Sequence, residues 1–205
     1  MTRNHHDPAV NPPSRQRRPQ NRRDDAWIRA FLANAPVAHV ATRWDDLPFV
    51  TPTTFHYDPA RHEVIFHSNI VGRVRANSER HDLVCVEVSE FGQLLPSNDP
   101  VELSLQYRSA VIFGRVRLLE GDEARDALYA LMRKYFPALR PGVECRPIPD
   151  ADLKHTSVYA VSVTEWSGKE NWKDRADQTS DWAPLPESVF ELNRGSGAAR
   201  EPNDG

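Results

Sequence analysis

Cysteine is scarce in this sequence: Cys85 and Cys145 are the only two among 205 residues. Two widely spaced cysteines form neither a disulfide framework nor a zinc knuckle, and Cys85 falls inside an apolar strand pattern that is typical of a core position. The N-terminus carries no apolar segment of the signal-peptide kind, and no apolar run approaches the length of a membrane span. We therefore expect a reduced, cytoplasmic protein with no membrane association.

Several motifs that mark common enzyme classes are also missing. No GxGxxG or Walker A pattern occurs, which argues against a Rossmann or P-loop nucleotide site. No GxSxG elbow surrounds Ser68 or Ser109, and neither cysteine has a local activating pattern, which argues against a hydrolase. The net charge of −3 gives the chain no general attraction to nucleic acid.

The two ends of the chain differ from its middle. Residues 1–23 contain six arginines, one aspartate and four prolines, a composition that favours a disordered basic arm over a packed segment. Residues 173–205 lose all periodicity and contain several proline and glycine residues, as expected of a C-terminal tail. We therefore place a single domain at residues 24–172.

The middle of the chain alternates short apolar runs with turn signals. The pattern predicts strands at residues 37–42, 49–57, 64–67, 83–89, 105–119 and 157–166, and helices at residues 25–35, 73–80 and 121–136. The strands follow one another too closely for βαβ crossovers, so the fold class is mainly β, an antiparallel or mixed barrel with flanking helices. Gly114, inside the longest strand, predicts a bulge or bend.

A polar turn at residues 64–78 is the best candidate for a ligand site. His67 and Ser68 end an apolar strand, Gly72 frees the backbone, and Arg73 and Arg75 follow as a helix begins. Helix N-termini and guanidinium groups are the donors that a phosphate ester requires. Arg73 is the better ligand because it lies nearer the helix start; Arg75 points to solvent or to a second chain. Two arginines that merely solvate a helix remain an equal alternative.

Histidine raises two further alternatives. His67 is either a hydrogen-bonded structural residue or, five residues before Gly72, a proton donor beside a bound cofactor. His39, His56 and His67 lie on neighbouring predicted strands, as three zinc or iron ligands would. They lack short ligand spacing and an evident carboxylate partner, so we predict no metal site.

Tryptophan is concentrated late in the chain. Trp166, Trp172 and Trp182 follow or end the last strand, with Lys169 close behind Trp166. These residues either pack the C-terminal segment onto the domain or form a wall beside a flat cofactor ring, with Lys169 near its polar edge.

Four separated blocks, in one order, resemble a known family. They are HSNIVGRVRAN (67–77), EVSEFGQLLPS (87–97), SLQYRSAVIFG (104–114) and TSVYAVSVTEWSGKENW (156–172), and PQNRRDDAWI (19–28) is similar as well. The chain resembles the FMN-binding split-barrel superfamily of pyridoxamine 5′-phosphate oxidase, and more closely its branch of Nim-type nitroimidazole-resistance proteins.

The resemblance implies a six-stranded antiparallel split barrel that forms a homodimer, with FMN bound between the two subunits. By resemblance, the backbone around Pro52 and Thr53 lies along the isoalloxazine, and Ser68 and Arg73 hold the phosphate. His67 takes the position beside the flavin where the Nim branch carries its redox-linked histidine. Trp166 and Lys169 would approach the cofactor across the dimer.

One departure concerns the phosphate ligands. Where the oxidases carry Ser-Arg-Lys, this chain has Gly72, Arg73 and Val74, so only Arg75 can replace the missing cation. The oxidases' residues for pyridoxal phosphate are also not found, which argues against vitamin B6 oxidation.

We therefore expect an FMN-dependent oxidoreductase that reduces nitroimidazole-type or similar small aromatic substrates. One alternative is a non-catalytic flavin- or haem-binding protein with His67 or His39 as axial ligand. Another is a structural or regulatory domain with an Arg-rich arm.

Overall fold

A computed structural model of the chain describes residues 10–194. Its strands and helices, in chain order, are β1 (Arg22–Arg23), α1 (Asp25–Asn34), β2 (Ala38–Trp44), β3 (Leu47–Thr53), β4 (Phe55–Asp58), β5 (Glu63–Asn69), α2 (Arg73–Arg80), β6 (Leu83–Leu95), β7 (Ser104–Leu119), α3 (Gly121–Tyr135), α4 (Asp150–Leu153), β8 (Thr156–Asn171) and α5 (Glu187–Arg194). The predicted class, mainly β with flanking helices, is confirmed.

All named strands pair antiparallel in one sheet of order β3-β2-β6-β7-β8-β5-β4, with β1 added to β8. The described part of the chain thus has eight strands instead of the expected six, and the pairing is an open path instead of a closed ring. Two sequence features explain the count. Thr54 interrupts the run that was predicted as one strand, which gives β3 and β4, and Arg22–Arg23 add the short β1.

The bulge predicted at Gly114 is present. The β7–β8 register shifts between Phe113 and Gly114. A Cβ built on Gly114 would lie 2.3 Å from the carbonyl oxygen of Ser162, so the backbones approach more closely there than any larger residue permits. The bulge lets the two longest strands bend around the core.

Helices cover the sheet on both faces. In α1, Ile28 and Leu32 are buried in the main core, and Asp24 caps the helix by accepting from the Trp27 N–H. On the other face, Ala124 and Ala127 of α3 pack in a second, smaller apolar cluster. Within the described range, no helix is long and apolar enough to cross a membrane.

The segment that precedes the domain lies alongside β8. The Ser14 hydroxyl donates to the Glu165 carboxylate over 2.8 Å, and the Gln16 amide donates to the Gly168 carbonyl. Arg23 pairs with Glu170. Polar groups of Ser14, Gln16 and Arg23 thus find partners on β8, within the segment whose composition predicts a disordered arm. Residues 1–9 and 195–205 lie outside the described residues.

Candidate functional site

The start of α2 is an open helix N-terminus. The helix begins at the predicted residue, Arg73, and no side chain caps it. Gly72 has a φ of −157°, which is extended backbone, so its conformation does not demand glycine as the sequence suggested. An uncapped first turn leaves N–H groups free to receive an anion.

The two arginines of this turn diverge. The exposed Arg73 guanidinium stacks over the Phe49 ring of β3, with Cζ 4.4 Å from the ring centroid. The half-buried Arg75 pairs with Glu79 and donates to the Ser157 hydroxyl of β8 over 3.3 Å. Because the residues are two apart on a helix, they face different neighbours, as predicted from their spacing.

Buried anchors fix α2 in place. Val74, at the position of the oxidases' lysine, is buried in the main core, and Asn77 donates to the Thr42 hydroxyl of β2 over 2.9 Å. Phe49 and Thr42 are paired across β2 and β3. The start of α2 is therefore held against the strand that carries Pro52 and Thr53.

Pro52 and Thr53 end β3, which is an edge strand of the sheet. Pro52 is exposed, and Thr53 is half-buried with its hydroxyl donating to the Thr54 carbonyl. His39 lies opposite Pro52 in the register, and its Nδ1 is 3.1 Å from the Glu87 carboxylate. This His–Glu pair was not found from the sequence, because it depends on the register between β2 and β6.

His67 and Ser68 are adjacent on β5 and so project to opposite faces. The Ser68 hydroxyl is turned inward, 3.1 Å from the Tyr159 hydroxyl. His67 remains accessible to solvent, and partial desolvation of the imidazole lowers its pKa below the ordinary 6.5. At neutral pH the ring is therefore uncharged and able to accept a proton.

These residues form one corner of the molecule, which we call the α2 corner: residues 49–53 of β3, 67–69 of β5 and 72–75. In the turn between β5 and α2, the Asn69 side chain accepts from the Val71 N–H over 2.8 Å. The α2 corner combines free helix N–H groups, an exposed guanidinium, a hydroxyl and a neutral imidazole.

Trp166 and Lys169 do not lie in the α2 corner of the same chain. On β8 they are nine and twelve residues beyond Ser157, the register partner of Ser68, which puts Trp166 about 30 Å farther along the strand. Trp166 packs edge-on against His62 and donates its indole N–H to Asp25 over 2.9 Å. The Lys169 ammonium lies over the Tyr107 ring, 5.1 Å from its centroid.

No three-ligand metal cluster of His, Cys, Asp or Glu occurs between residues 10 and 190. The three histidines considered as ligands have separate surroundings. His39 faces Glu87, His56 pairs with Ile65, and His67 pairs with Val158.

A cavity of about 510 Å³ opens beside the α2 corner. Ile70, which follows β5, and Thr156, which begins β8, form one side of it together with Arg75. Residues of α3 and α4 form the other side. The cavity could not be predicted from local patterns, since its walls come from three segments that are distant in the chain, residues 70–75, 118–125 and 150–156.

Comparison with solved structures finds the same fold in several proteins. The flavocytochrome Anf3 from Azotobacter vinelandii is 24% identical, with a TM-score of 0.70 over 82% of this chain and 76% of that one. The FAD and heme binding protein from Mycobacterium smegmatis is 23% identical, with a TM-score of 0.66 over 83% and 95%. A protein assigned to 5-nitroimidazole antibiotic resistance in Bacteroides thetaiotaomicron is 25% identical, with a TM-score of 0.60 over 72% and 84%.

A search of curated proteins finds no match. The profile of the family described as pyridoxamine 5′-phosphate oxidase matches residues 24–170, well over half of the chain and nearly all of the sheet. The matched range includes every residue of the α2 corner as well as Trp166 and Lys169. The chain belongs to the pyridoxamine 5′-phosphate oxidase family.

Proposed function

We propose that this chain is an FMN-dependent oxidoreductase that works as a homodimer and reduces nitroimidazole-type or similar small aromatic substrates. The observation that carries the proposal is the α2 corner, where an uncapped helix start and the exposed Arg73 meet the end of β3. Family membership and the flavin-binding and nitroimidazole-resistance proteins among the structural relatives support it. The cytoplasmic location stays a prediction.

The donor set of the α2 corner fits a phosphate. The first-turn N–H groups of α2 and the Arg73 guanidinium would hold it, because neither has a carboxylate partner among the residues that the structure describes. Ser68 would join by releasing the Tyr159 hydroxyl, its present neighbour. Arg75 is turned towards Ser157 and Glu79, so it is a poor replacement for the lysine of the oxidases.

A second subunit would complete the site. Trp166 and Lys169 are too far along β8 to meet the α2 corner of their own chain, whereas a partner related by twofold symmetry can bring them to it. Large apolar side chains remain exposed at Val50 of β3 and at Phe91 of β6, with 64% and 77% of their surface accessible. Such exposure is expected of a surface that a second copy covers.

When bound, FMN supplies the electron transfer, and the protein supplies orientation, electrostatics and protons. The strand end at Pro52 and Thr53 would align the ring system. His67, uncharged at neutral pH, would take a proton from solvent and pass it to the reduced substrate. The partner's aromatic and cationic side chains, Trp166 and Lys169, would close the cleft around a flat substrate.

A second candidate is a non-catalytic flavin- or haem-binding protein. Two of the structural relatives bind haem or are flavocytochromes, and His67 is an accessible neutral imidazole, the form that ligates iron. A Soret band on haem addition that disappears in His67→Ala, but not in His39→Ala, would favour this candidate. Substrate turnover with FMN alone would exclude it.

The deciding experiment is a titration of the purified protein with FMN. Quenching of flavin fluorescence at one FMN per chain and a higher melting temperature support the proposal. No binding and no thermal shift with excess FMN would end it. For the reaction itself, anaerobic reduction of the bound flavin followed by addition of a 5-nitroimidazole should reoxidise the flavin in the wild type and more slowly in His67→Gln.

A further inference from the structure

A histidine–glutamate pair lies on the sheet beside the end of β3. The register places Pro52 of β3, His39 of β2 and Glu87 of β6 opposite one another on three neighbouring strands. Directly opposite residues point to the same face of a sheet, with neighbouring Cβ atoms about 5 Å apart. The residues on either side of His39 are buried in the main core, so its side chain projects from the opposite face. The pair therefore borders the strand end along which the flavin ring would lie.

The contact within the pair decides which nitrogen of the imidazole is available. The Nδ1 atom of His39 lies 3.1 Å from the Glu87 carboxylate. An ionised carboxylate accepts hydrogen bonds and donates none, so Nδ1 carries the proton of the neutral ring and Nε2 keeps its lone pair. Among the described residues the ring makes no other hydrogen bond, and 42% of the side chain is accessible. Nε2 is therefore the atom at which His39 can exchange a proton with a bound molecule.

His67 flanks the same strand end from the other side. The chain passes from β3 directly to β4, where Phe55 pairs with Phe66, the residue before His67. Because Phe66 is buried, His67 projects away from the core, as His39 does. The end of β3 thus lies between a histidine on β2 and a histidine on β5. Only His39 has a carboxylate partner among the described residues, and that partner stabilises the charge of a protonated ring.

We infer that His39, oriented by Glu87, is a second proton donor to the substrate and acts from the other side of the strand end than His67. The inference rests on the proposed function. Reduction of a nitro group to a nitroso group takes up two electrons and two protons, and one oxygen leaves as water. When bound, reduced FMN supplies both electrons and is oxidised.

The leaving oxygen needs both protons, which is why a second donor serves this reaction. The Nε2–H bond of protonated His39 breaks as one O–H bond forms, and His67 supplies the other proton. Each imidazole then takes back a proton from solvent, to which oxidation of the flavin releases two. The net products are the nitroso compound, oxidised FMN and water. Glu87 is a positioning residue, because it holds the ring and stabilises its charge without touching the substrate.

Reoxidation of bound, reduced FMN by a 5-nitroimidazole in a single turnover tests the role of His39. His39→Gln should bind FMN within about twofold of the wild type and slow reoxidation by about 100-fold, as expected for a lost general acid. Added imidazole should restore part of the rate to His39→Ala. His155→Gln changes an exposed histidine just before β8 and is the matched control, which should react like the wild type.

The protein without flavin provides a readout that does not depend on turnover. Nitrogen chemical shifts of the His39 ring, measured by NMR, should identify Nδ1 as the protonated nitrogen of the neutral form. Glu87→Ala should remove this preference and leave the melting temperature close to that of the wild type. FMN should protect His39 from carbethoxylation by diethyl pyrocarbonate, located by mass spectrometry, and should not protect His155.

The outcomes separate the two proposals. Failure of the wild type to bind FMN overturns the proposed function itself. Normal FMN binding with an unchanged reoxidation rate in His39→Gln overturns the inference while the flavin function stands. A neutral His39 ring protonated on Nε2, or carbethoxylation of His39 that FMN does not reduce, also overturns the inference. A slow His39→Ala that imidazole does not accelerate would show a structural role for the ring and overturn it as well.

Discussion

Replacing Arg73 with glutamine removes the one guanidinium that the structure leaves exposed at the start of α2. In the free protein this side chain stacks on Phe49 at a solvent-exposed position, a contact worth about 0.5–1 kcal/mol. The fold should therefore lose little stability. In the flavin complex the same group would donate to a phosphate, and a charge-assisted contact contributes about 1.5–3 kcal/mol. FMN should bind Arg73→Gln about 10–100-fold more weakly than the wild type.

The assay is an equilibrium titration of FMN fluorescence at two salt concentrations. The wild-type affinity should fall with added salt more steeply than that of Arg73→Gln, because the variant has lost a charge pair with the phosphate. Arg133→Gln, on the exposed side of α3, is the matched control and should bind FMN like the wild type. Arg73→Lys should recover part of the loss. An affinity of Arg73→Gln within twofold of the wild type would refute the assignment of the phosphate to this helix start.

Three further predictions concern the fold and its titration. Gly114→Ala should lower the free energy of unfolding by more than about 2 kcal/mol in urea denaturation, because its Cβ would lie 2.3 Å from the Ser162 carbonyl oxygen. Gly72→Ala is the control and should cost less than about 1 kcal/mol, since the nearest atom to its Cβ is at 3.4 Å. Similar losses at both glycines would contradict the tight β7–β8 contact. Burial over the Phe55 ring lowers the pKa of Lys134 to about 8. The unfolded state therefore binds more protons between pH 8 and 10.5, and the free energy of unfolding should rise over that window by up to about 3 kcal/mol relative to Lys134→Met. The same dependence of unfolding free energy on pH in the two proteins would mean that this lysine is solvated. Asn77→Ala should lower the free energy of unfolding by about 1–3 kcal/mol and weaken FMN binding, because it removes the hydrogen bond between α2 and Thr42. Lower stability with unchanged FMN affinity would show that the position of α2 does not matter for the site.

Local patterns predicted much of the fold. The predicted bounds of α2, residues 73–80, match the structure, and the bulge follows from a glycine inside a long strand. The split between β3 and β4 was missed because the alternation of Phe49, Thr51, Thr53, Phe55 and Tyr57 continues across Thr54. The contacts of Ser14 and Gln16 with β8 could not be predicted, because an arginine- and proline-rich composition says nothing about partners on a distant strand.

The candidate site was predictable only in part. Residues 67–75 are close in sequence, so their meeting at one corner follows from a strand, a turn and a helix. The stacking of Arg73 on Phe49, the turn of Ser68 towards Tyr159 and the pairing of His39 with Glu87 all depend on tertiary packing or strand register. Trp166 and Lys169 were singled out by the late tryptophan cluster, and their role across a dimer came from family resemblance. Their distance from the α2 corner within one chain is a property of the β5–β8 register.

Subunit mixing tests the central claim, a flavin site shared between two copies of the chain, most directly. Arg73→Gln would remove the phosphate contact from one side of the site and Lys169→Glu the cation from the other, so each variant alone should bind FMN weakly. Equimolar mixing after unfolding and refolding should restore wild-type affinity to about one quarter of the sites, because half of the dimers are mixed and each has one intact site. Restoration of that fraction is the predicted result. Wild-type affinity in Lys169→Glu alone, or no restoration on mixing, would contradict a shared site.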